Sequence, residues 1–568
     1  MSREHQRHPN VFSKPNPVLE WRKYSTGGHN MKWKTAIFLS VSWLSTALAQ
    51  TSTPVTADKV TVQTTQGAVI GTQGTVNTFL GLPYAAPPLG DLRWKPPQPP
   101  TSWIAPRSAT TFSSQCPQAV IGLFALPGET PGEVRGNEDC LYLNVYAPKT
   151  ATPQSHLPVM FWIHGGAFTA GSASTYDGSI LAEKNDMVVV TVNYRLGALG
   201  FLSLPALSAE SGGESGNYGL MDQQAALKWV RQNIAAFGGD PQRVTVAGES
   251  AGAMSICAQL TSPQAAGLFE GAILQSGLCT SPGNAVTLAD AAQRNVRYAS
   301  NLGCRADDLV CLRNVDPAKL ALTKVPGLRP ASNLVWSPVY ASGLLPLTLQ
   351  DAFAQGKFSR IPVMSGTNHD EGRLFVSVAS PEGKPISPVL YWGAAGLTAG
   401  AGNAVNVLSK YPYRRYGTPA LAFATLFTDA VFSCPALRVD DALSQYVPVY
   451  AFEFADPQAA TTIKSPADLP GMGSAHSSSL VYAFQTSVPG LADSAQLSPA
   501  QRSLSDLFSS AWATFVKTGN PNPVGKTDWR AYSSERQNVQ VFTPSSVQES
   551  TAFAAEHQCP FWLGLNLK

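Results

Sequence analysis

Ser250 lies between two glycines in the segment Gly248-Glu249-Ser250-Ala251-Gly252, directly after the apolar residues 244–247. A serine flanked in this way is typical of a nucleophile elbow, a tight strand-to-helix turn in which side chains two residues to either side would collide. The turn exposes the hydroxyl group, and the first N–H groups of the helix face an oxygen that becomes negative during acyl transfer. The segment therefore predicts nucleophilic attack by Ser250. An ordinary glycine-rich loop would show the same three fixed positions, so the context must decide.

A second glycine-containing segment precedes the serine. Residues 159–163 form an apolar run of strand length, which ends at His164-Gly165-Gly166-Ala167-Phe168. In a strand-to-helix serine hydrolase, this loop supplies further N–H donors to the oxyanion, and glycines let the backbone approach the substrate. His164 is a rival for a catalytic histidine, and we interpret it as structural.

An acid and a histidine follow the serine. Residues 361–366 predict another buried strand, which opens into a loop that contains Asp370 and Glu371. His476 follows in a loop of small residues. Serine, acid and histidine in this order are typical of α/β-hydrolases, whereas trypsin and subtilisin use other orders. Spacing alone does not separate Asp370 from Glu371, and His476 without this context would fit a hydrogen-bonded loop histidine.

Longer motifs resemble those of one known family. These motifs are Phe79-Leu80-Gly81-Leu82-Pro83-Tyr84-Ala85, Glu138-Asp139-Cys140-Leu141-Tyr142-Leu143-Asn144-Val145 and Asn193-Tyr194-Arg195. Together with the segments around Ser250, Glu371 and His476, they resemble the type-B carboxylesterase family, which includes cholinesterases and some fungal lipases. The resemblance covers about residue 58 to the C-terminus.

The resemblance assigns roles to single residues. It makes Ser250 the nucleophile, Glu371 the triad acid and His476 the base. The N–H groups of the oxyanion hole would come from Gly166, Ala167 and Ala251, and the family carries glycine or alanine at the position of Ala167. The resemblance also suggests two structural charge pairs, Arg93 with Glu138 and Arg195 with Asp222. Glu249 is either a surface-turn carboxylate or a charge that helps to hold the structure around the histidine.

The sequence predicts that a parallel sheet with helices positions these residues. Residues 187–192, 244–247 and 272–274 are aliphatic without alternation, as expected of strands that are buried on both faces. Residues 222–237 and 504–517 carry apolar side chains near helical spacing, and a glycine follows each stretch. Together with the resemblance, this predicts an α/β-hydrolase fold, a large, mostly parallel central sheet flanked by helices. One site drawn from residues 164–476 requires one domain, for which we expect residues 50–568.

The first fifty residues predict a leader. Residues 1–30 are polar and basic and fit a gene start placed too early, with Met31 as the true start. Lys32 and Lys34 precede an uncharged apolar stretch that ends in a small-residue site at Ala49, which is typical of a signal peptide. The apolar stretch is shorter than the roughly 20 residues of a membrane span, so we expect no permanent anchor. The protein would be secreted or periplasmic.

The charge of the chain excludes one class of partner. Residues 1–34 hold seven basic and two acidic residues of the chain's 40 and 37, which leaves 33 and 35 and a net charge of −2. The basic character belongs to the leader. Nucleic-acid binding would require a basic face or stripe, and we expect none.

Eight cysteines in an exported chain predict disulfides. The family resemblance suggests Cys116 with Cys140, Cys304 with Cys311 and Cys434 with Cys559; Cys257 and Cys279 either pair or remain buried thiols. The absence of C-x-x-C spacing argues against zinc. The loop between Cys116 and Cys140 contains the apolar side chains of Ile121, Leu123, Phe124 and Leu126, which line the substrate pocket or pack on the core.

These observations predict a serine carboxylic-ester hydrolase that acts through an acyl-enzyme on small or medium esters. The chemistry needs no metal or organic cofactor, since the histidine activates both the serine and the water. Two alternatives remain at this point. The chain could be a catalytically modified binding or adhesion protein, or a hydrolase of amides, carbamates or thioesters at the same site.

Overall fold

A sheet of thirteen strands forms the centre of the fold. The computed structural model describes residues 58–565, with gaps at 121–124, 126–128, 282–283, 285, 326–333 and 381–382. The predicted leader and signal peptide, residues 1–49, and the loop side chains of Ile121, Leu123, Phe124 and Leu126 lie outside the described residues. Twelve of the strands follow one another across the sheet, in the order Asp58–Gln63, Ala68–Gln73, Val76–Pro83, Tyr142–Pro148, Val188–Val192, Leu157–Ile163, Gly239–Glu249, Gly271–Gln275, Val363–Asn368, Val449–Phe454, Val539–Phe542 and Val547–Ser550.

The middle of the sheet is parallel and its edges are antiparallel. Seven neighbouring strands, from Val188–Val192 to Val539–Phe542, pair in parallel. The strands outside them pair antiparallel, and Arg107–Ser108 adds a short parallel edge to Ala68–Gln73. The prediction of a mostly parallel sheet is confirmed. Two small sheets lie apart from it, one of Gln118–Ala119 with Val134–Arg135 and one of Val286–Thr287 with Val339–Tyr340.

Both faces of the parallel strands are buried, which explains their unbroken apolar sequences. In Leu157–Ile163, Val159, Phe161 and Ile163 belong to one hydrophobic cluster, whereas Met160 and Trp162 belong to another. Successive side chains of a strand point to opposite faces, so the two clusters lie on the two sides of the sheet. The core is therefore divided into two layers by the sheet.

Helices cover both layers. Those of eight or more residues are Tyr218–Asn233, Ala251–Thr261, Leu288–Asn301, Gly372–Ala379, Pro388–Ala399, Pro419–Phe427, Cys434–Ser444 and Pro499–Thr518. The shorter ones are Ser179–Asn185, Gly197–Phe201, Pro205–Glu210, Leu309–Arg313, Pro317–Leu322, Leu349–Ala354, Ala404–Lys410, Tyr413–Tyr416, Leu480–Phe484, Phe553–Glu556 and Cys559–Gly564.

Two predicted helices begin earlier than their apolar spacing indicates. The first begins at Tyr218 instead of residue 222, and its last turn, Ile234–Phe237, is a 3₁₀ helix. The second begins at Pro499, because Ser498 and Gln501 form a capping box ahead of the apolar stripe. Its end at Gly519, which has a φ of 71°, agrees with the prediction.

One helical stretch, Pro419–Ser444, is long and apolar enough to cross a membrane by length and composition. Of its apolar window, 89% is buried inside the protein, which is the property of a core helix. Residues Thr428–Ser433 form a π-helical turn within it.

All eight cysteines are paired. The structure contains the three disulfides that the resemblance suggests, and it joins the remaining Cys257 and Cys279 to each other. The two suggested charge pairs are also present. Arg93 Nε lies 2.8 Å from Glu138 Oε1, and Arg195 Nη2 lies 2.7 Å from Asp222 Oδ1. These four side chains are buried, so each pair neutralises charges within the core.

Candidate active site

Ser250 occupies the turn between the strand Gly239–Glu249 and the helix Ala251–Thr261. Its φ of 57° and ψ of −123° lie outside the regions that non-glycine residues normally adopt. A Cβ on Gly252 would lie 2.0 Å from the carbonyl oxygen of Ile163, and one on Gly248 would lie 2.8 Å from it. The turn therefore requires both glycines, as expected of a nucleophile elbow.

The site lies where parallel strands end. Strands that end at Ile163, Glu249, Gln275 and Asn368 are neighbours in the sheet, so their carboxyl ends open at one edge. This edge is the usual place for a site in such a sheet. The structure thereby brings the glycine loop, the serine turn and the acid loop together from distant parts of the chain.

A chain of hydrogen bonds joins the serine turn to the acid and histidine loops. The N–H of Ser250 donates to the carbonyl of Gln275 over 2.9 Å. The Gln275 side chain donates to Asn368 Oδ1 over 3.0 Å, and Asn368 Nδ2 donates to the carbonyl of Ala475 over 2.8 Å. Sequence reasoning missed Gln275 and Asn368, whose only local signal is a polar residue at the end of an apolar strand.

Glu371, and not Asp370, faces His476. Glu371 Oε2 lies 2.6 Å from His476 Nδ1, and its Oε1 accepts the N–H of Asn368 over 2.8 Å. Asp370 instead pairs with Arg373 over 2.8 Å and accepts the N–H of Ser474 over 3.0 Å. The geometry thus separates two adjacent carboxylates that their spacing in the sequence leaves equivalent.

The other ring nitrogen of His476 contacts the serine turn. His476 Nε2 lies 3.1 Å from Oε1 of Glu249, the residue before Ser250, and the same oxygen accepts the Ser477 hydroxyl over 2.6 Å. Within the described residues, the Ser250 hydroxyl makes no hydrogen bond. The imidazole therefore sits between two buried carboxylates at the elbow, and Glu249 has the supporting position that was one of its two interpretations.

These carboxylates govern the charge of the imidazole. Burial lowers the pKa of His476, but the charges of Glu249 and Glu371 and the hydrogen bond to Glu371 outweigh it, and the net shift is upward from the ordinary value. Burial raises the pKa of Glu249, although His476 and the Ser477 hydroxyl act against this. His476 is thus a stronger base than a free imidazole, because its protonated form is stabilised.

Three N–H groups of the glycine loop and the serine turn have no acceptor among the described residues. Gly166 and Ala167 are exposed and have φ values of 105° and 54°, so their backbone is in the left-handed region. Within the described part of the chain, the N–H groups of Gly166, Ala167 and Ala251 donate to no protein acceptor. Such unpaired donors at a helix start and a glycine turn are suited to an anionic oxygen.

His164 and the glycine loop have structural contacts. The ring of His164 is buried, stacks on Tyr194 with centroids 4.5 Å apart, and has its Nδ1 2.8 Å from the carbonyl oxygen of Gly165. Burial lowers its pKa to about 4, against the effect of that backbone hydrogen bond, so the ring is neutral. These contacts favour the structural interpretation. The loop between Cys116 and Cys140 is tied to the same segment, since Gln118 both donates to and accepts from the Gly171 backbone over 2.9 Å.

Aromatic rings enclose His476 on the side of the helices. The centroids of Phe432 and Phe375 lie 4.9 Å and 5.2 Å from that of the imidazole, and Phe427 stacks on Phe375 at 4.9 Å. These side chains exclude water from the ring and strengthen its electrostatic contacts. They also form an apolar wall beside the imidazole.

A second polar cluster lies behind the acid loop, and sequence reasoning missed it. His557 Nδ1 lies 2.7 Å from Asp429 Oδ1, and its Nε2 lies 2.8 Å from Glu453 Oε1, which also lies 2.8 Å from His369 Nδ1. The ligand atoms of His369, Glu453 and His557 lie within 4.8 Å of one another, close enough to share a cation.

The charges of this cluster favour ion pairs. Burial lowers the pKa of His557, but the hydrogen bonds to Asp429 and Glu453 outweigh it and raise the pKa to about 10. Burial likewise raises the pKa of Glu453, and the hydrogen bonds from His369 and His557 outweigh it and lower the pKa to about 2. A protonated His557 has no lone pair for a metal, so we interpret the cluster as a buried network of ions.

Comparison with known sequences places these features in a wider context. Residues 58–562 match a family described as the carboxylesterase family. The chain is 38% identical to fumonisin B1 esterase from Sphingopyxis macrogoltabida, a match that covers 87% of this chain and 89% of that protein. It is 39% identical to para-nitrobenzyl esterase from Bacillus subtilis (strain 168), over 84% of this chain and 94% of the relative.

Solved structures agree with the sequence comparison. A thermophilic PNB esterase superposes with a TM-score of 0.74 at 35% identity, covering 88% of this chain and 99% of that one. A second PNB esterase structure gives a TM-score of 0.73 at 36% identity, with 88% and 98% covered. The predicted α/β-hydrolase architecture is thereby confirmed.

Proposed function

We propose, on the premise that this chain belongs to the carboxylesterase family and is a carboxylic ester hydrolase, that it cleaves esters through an acyl-enzyme on Ser250. The observation that carries this proposal is the 2.6 Å contact between Glu371 and His476. The other ring nitrogen of His476 contacts Glu249, the residue directly before Ser250. A hydroxyl without a protein partner and three N–H groups without acceptors support it.

The first half-reaction forms the acyl-enzyme. His476 Nε2 exchanges its contact with Glu249 for the Ser250 hydroxyl and takes its proton as the oxygen bonds to the ester carbonyl carbon. Glu371 holds the Nδ1 proton and stabilises the imidazolium. The N–H groups of Gly166, Ala167 and Ala251 hold the oxyanion. His476 then returns the proton to the leaving alcohol as the carbon–oxygen bond breaks.

The second half-reaction releases the acid. Water gives a proton to His476 and attacks the acyl carbon, and the collapse of this intermediate breaks its bond to Ser250, which recovers the proton. Glu249 remains charged beside the imidazolium in both steps, so it lowers the free energy of each charged intermediate. No other group is needed for the atoms and protons to balance.

The surroundings of the site support small or medium esters with an apolar part. The rings of Phe375, Phe427 and Phe432 form an apolar wall at His476. Similar proteins carry the names fumonisin B1 esterase and para-nitrobenzyl esterase, and these names refer to different esters. We therefore expect a panel of p-nitrophenyl esters of graded acyl length to be cleaved with a preference that changes when Phe375 is reduced to alanine.

The same proposal includes export. Four disulfides in the structure are typical of an oxidising compartment, and residues 31–49 have the pattern of a signal peptide. The mature chain would then begin at Gln50, with Met31 as the start of translation. N-terminal sequencing of the exported protein tests this, and a chain that retains residue 31 would contradict it.

The chemical proposal is tested by replacing Ser250. We expect Ser250→Ala to keep the fold and to lose about 10⁴-fold or more of kcat on a p-nitrophenyl ester, since no other group supplies the nucleophile. A fluorophosphonate probe should label the peptide that contains Ser250 and should not label the variant. Ser510→Ala, which alters an exposed serine on the helix Pro499–Thr518, is the matched control. Undiminished turnover, or labelling at another residue, would contradict the proposal.

A further inference from the structure

The helix Pro388–Ala399 lies at the surface, although its sequence PVLYWGAAGLTA contains no charged residue. Val389, Leu390 and Trp392 are 72%, 54% and 52% exposed. Leu397 on the same helix and Val405 on the next helix, Ala404–Lys410, are also exposed. Surface helices normally turn charged side chains to water, so an apolar outer side indicates a partner.

The exposed side chains of the helix form one continuous face. At 100° per residue, Val389, Leu390, Trp392 and Leu397 fall within about half of the circumference. Tyr391, Ala395, Thr398 and Ala399 on the other half are buried. We call Val389, Leu390, Trp392, Leu397 and Val405 the apolar face.

Basic residues outnumber acidic ones around this face, where Asp468 accepts the N–H of Ile386 over 2.8 Å. Residues 383–428 contain Lys384, Lys410, Arg414 and Arg415 and no Asp or Glu, whereas the chain beyond residue 34 has 33 basic and 35 acidic residues. Lys410, Arg414 and Arg415 are exposed. An apolar helical face with tryptophan and flanking cations is typical of a segment that lies in the headgroup region of an anionic membrane. Two copies of the chain that met through this face would bring their basic residues together, which disfavours a dimer.

We propose that the apolar face adsorbs to an anionic lipid–water interface. Trp392, Val389 and Leu390 insert into the headgroup layer, while Arg414, Arg415 and Lys410 contact lipid phosphates. Binding is reversible, because it uses one helix and its flanks and no spanning segment.

The face is joined to the candidate site by two helices. The helix Gly372–Ala379 begins directly after Glu371 and carries Phe375, and the helix Pro419–Phe427 ends at Phe427. Pro388–Ala399 packs against Pro419–Phe427. Adsorption would therefore place the aromatic wall of the site close to lipid-dissolved esters. The inference extends beyond the proposed chemistry, since adsorption does not need Ser250.

The test is co-sedimentation of the full chain with vesicles of phosphatidylcholine alone or with about one third phosphatidylglycerol. We expect binding to the anionic vesicles, weaker binding at high salt, and equal binding by Ser250→Ala. The double variant Val389→Ser/Trp392→Ser should lose at least about tenfold in vesicle binding, because it removes the inserted apolar groups. Arg414→Ala/Arg415→Ala should also weaken binding to anionic vesicles. Thermal unfolding of each variant checks that its fold is retained.

Matched controls alter exposed residues elsewhere. Ile104→Ser/Val524→Ser removes two exposed apolar side chains, and Lys526→Ala/Arg536→Ala removes two exposed cations. Both controls should bind as the unaltered chain does. The proposal is overturned if the unaltered chain does not bind, or if all variants bind equally. It is also overturned if Val389→Ser/Trp392→Ser abolishes a concentration-dependent dimer without any effect on vesicles, which would assign the face to a second copy.

Discussion

Glu249 is the residue of the site whose chemistry is least evident from its motif. Its carboxylate is buried, lies 3.1 Å from His476 Nε2 and accepts the Ser477 hydroxyl. A negative charge in this place stabilises the imidazolium and so raises the pKa of His476. At a pH below this pKa, His476 is protonated and cannot act as a base. On the proposed mechanism, Glu249 and Glu371 together raise the pH at which the enzyme becomes active.

We expect Glu249→Gln to shift the acidic limb of the pH profile of kcat/KM. The unaltered enzyme gains activity as the pH rises through the raised pKa of His476. Loss of the Glu249 charge removes one cause of the raised pKa of His476, so the limb moves to lower pH. At higher pH the rate falls by about tenfold, because the imidazolium of each intermediate is less stable.

The control for this variant is Glu270→Gln, which alters an exposed carboxylate at the far end of the neighbouring strand. It should leave the profile unchanged. An acidic limb at the same pH in Glu249→Gln and the unaltered enzyme would show that the imidazole does not sense this charge.

At this scale, sequence reasoning works where a residue type carries its own signal. Ser250, Glu371 and His476 are predicted as catalytic residues because glycines, adjacent acids and small-residue loops mark them in a specific chain order, and the structure brings Glu371 within 2.6 Å of His476. Gln275 and Asn368, which tie the loops together, have no such mark. They lie 93 residues apart, and only the register of two parallel strands brings their amides into contact.

Among the elements, the serine turn depends on the absence of side chains. A Cβ at position 252 would lie 2.0 Å from the Ile163 carbonyl oxygen, so the helix and the strand Leu157–Ile163 would have to separate. We expect Gly252→Ala to lower the free energy of unfolding by about 1–3 kcal/mol and to reduce kcat, because the turn carries Ser250.

Gly393→Ala is the matched comparison, since Gly393 lies inside the helix Pro388–Ala399 and an added Cβ would meet nothing within 4 Å. This change should stabilise the protein by about 0.5–1 kcal/mol, the ordinary gain of alanine over glycine in a helix. Urea unfolding of both variants measures the two effects. Equal signs would argue against a steric requirement at position 252.

Elements are predictable to the extent that their cause is local. The parallel strands are evident as unbroken apolar runs, since both of their faces are buried. The helix start at Pro499 precedes the apolar spacing because the capping box of Ser498 and Gln501 sets it, whereas the helix start at Tyr218 has no side-chain cap. The π-helical turn Thr428–Ser433 has no local signal; its residues are held by partners such as the N–H of Gly372, which donates to Thr428 Oγ1 over 2.9 Å.

For the whole molecule, the buried residues Asp429, His557 and Glu453, together with the exposed His369, join the C-terminal helices to the acid loop and the sheet. The raised pKa of His557 stabilises the fold fully below its ordinary value of 6.5, and this stabilisation is lost as the pH rises through about 10. The lowered pKa of Glu453 stabilises the fold above its ordinary value of 4.5, and this stabilisation is lost as the pH falls through about 2. Both contributions are complete between 4.5 and 6.5.

We expect His557→Gln to lower the free energy of unfolding by about 3–5 kcal/mol near pH 6, because it leaves two buried carboxylates without their cation. The loss should shrink towards pH 10, where the unaltered protein gives up the same proton. Urea unfolding at several pH values measures this. His156→Gln, at an exposed histidine, should change stability by less than about 0.5 kcal/mol. If the loss in free energy of unfolding did not depend on pH, it would be due to altered packing and not to the lost charge.

The disulfide between Cys434 and Cys559 spans 125 residues, and Cys559 follows every other cysteine of the chain. A polypeptide that emerges from its amino end presents Ser250, Glu371 and His476 well before this last thiol appears. This disulfide therefore cannot form until all three of these candidate catalytic residues have been synthesised. Host strains that lack an oxidising pathway would yield a polypeptide in which Ser250, Glu371 and His476 are present but the thiols of Cys434 and Cys559 are not joined.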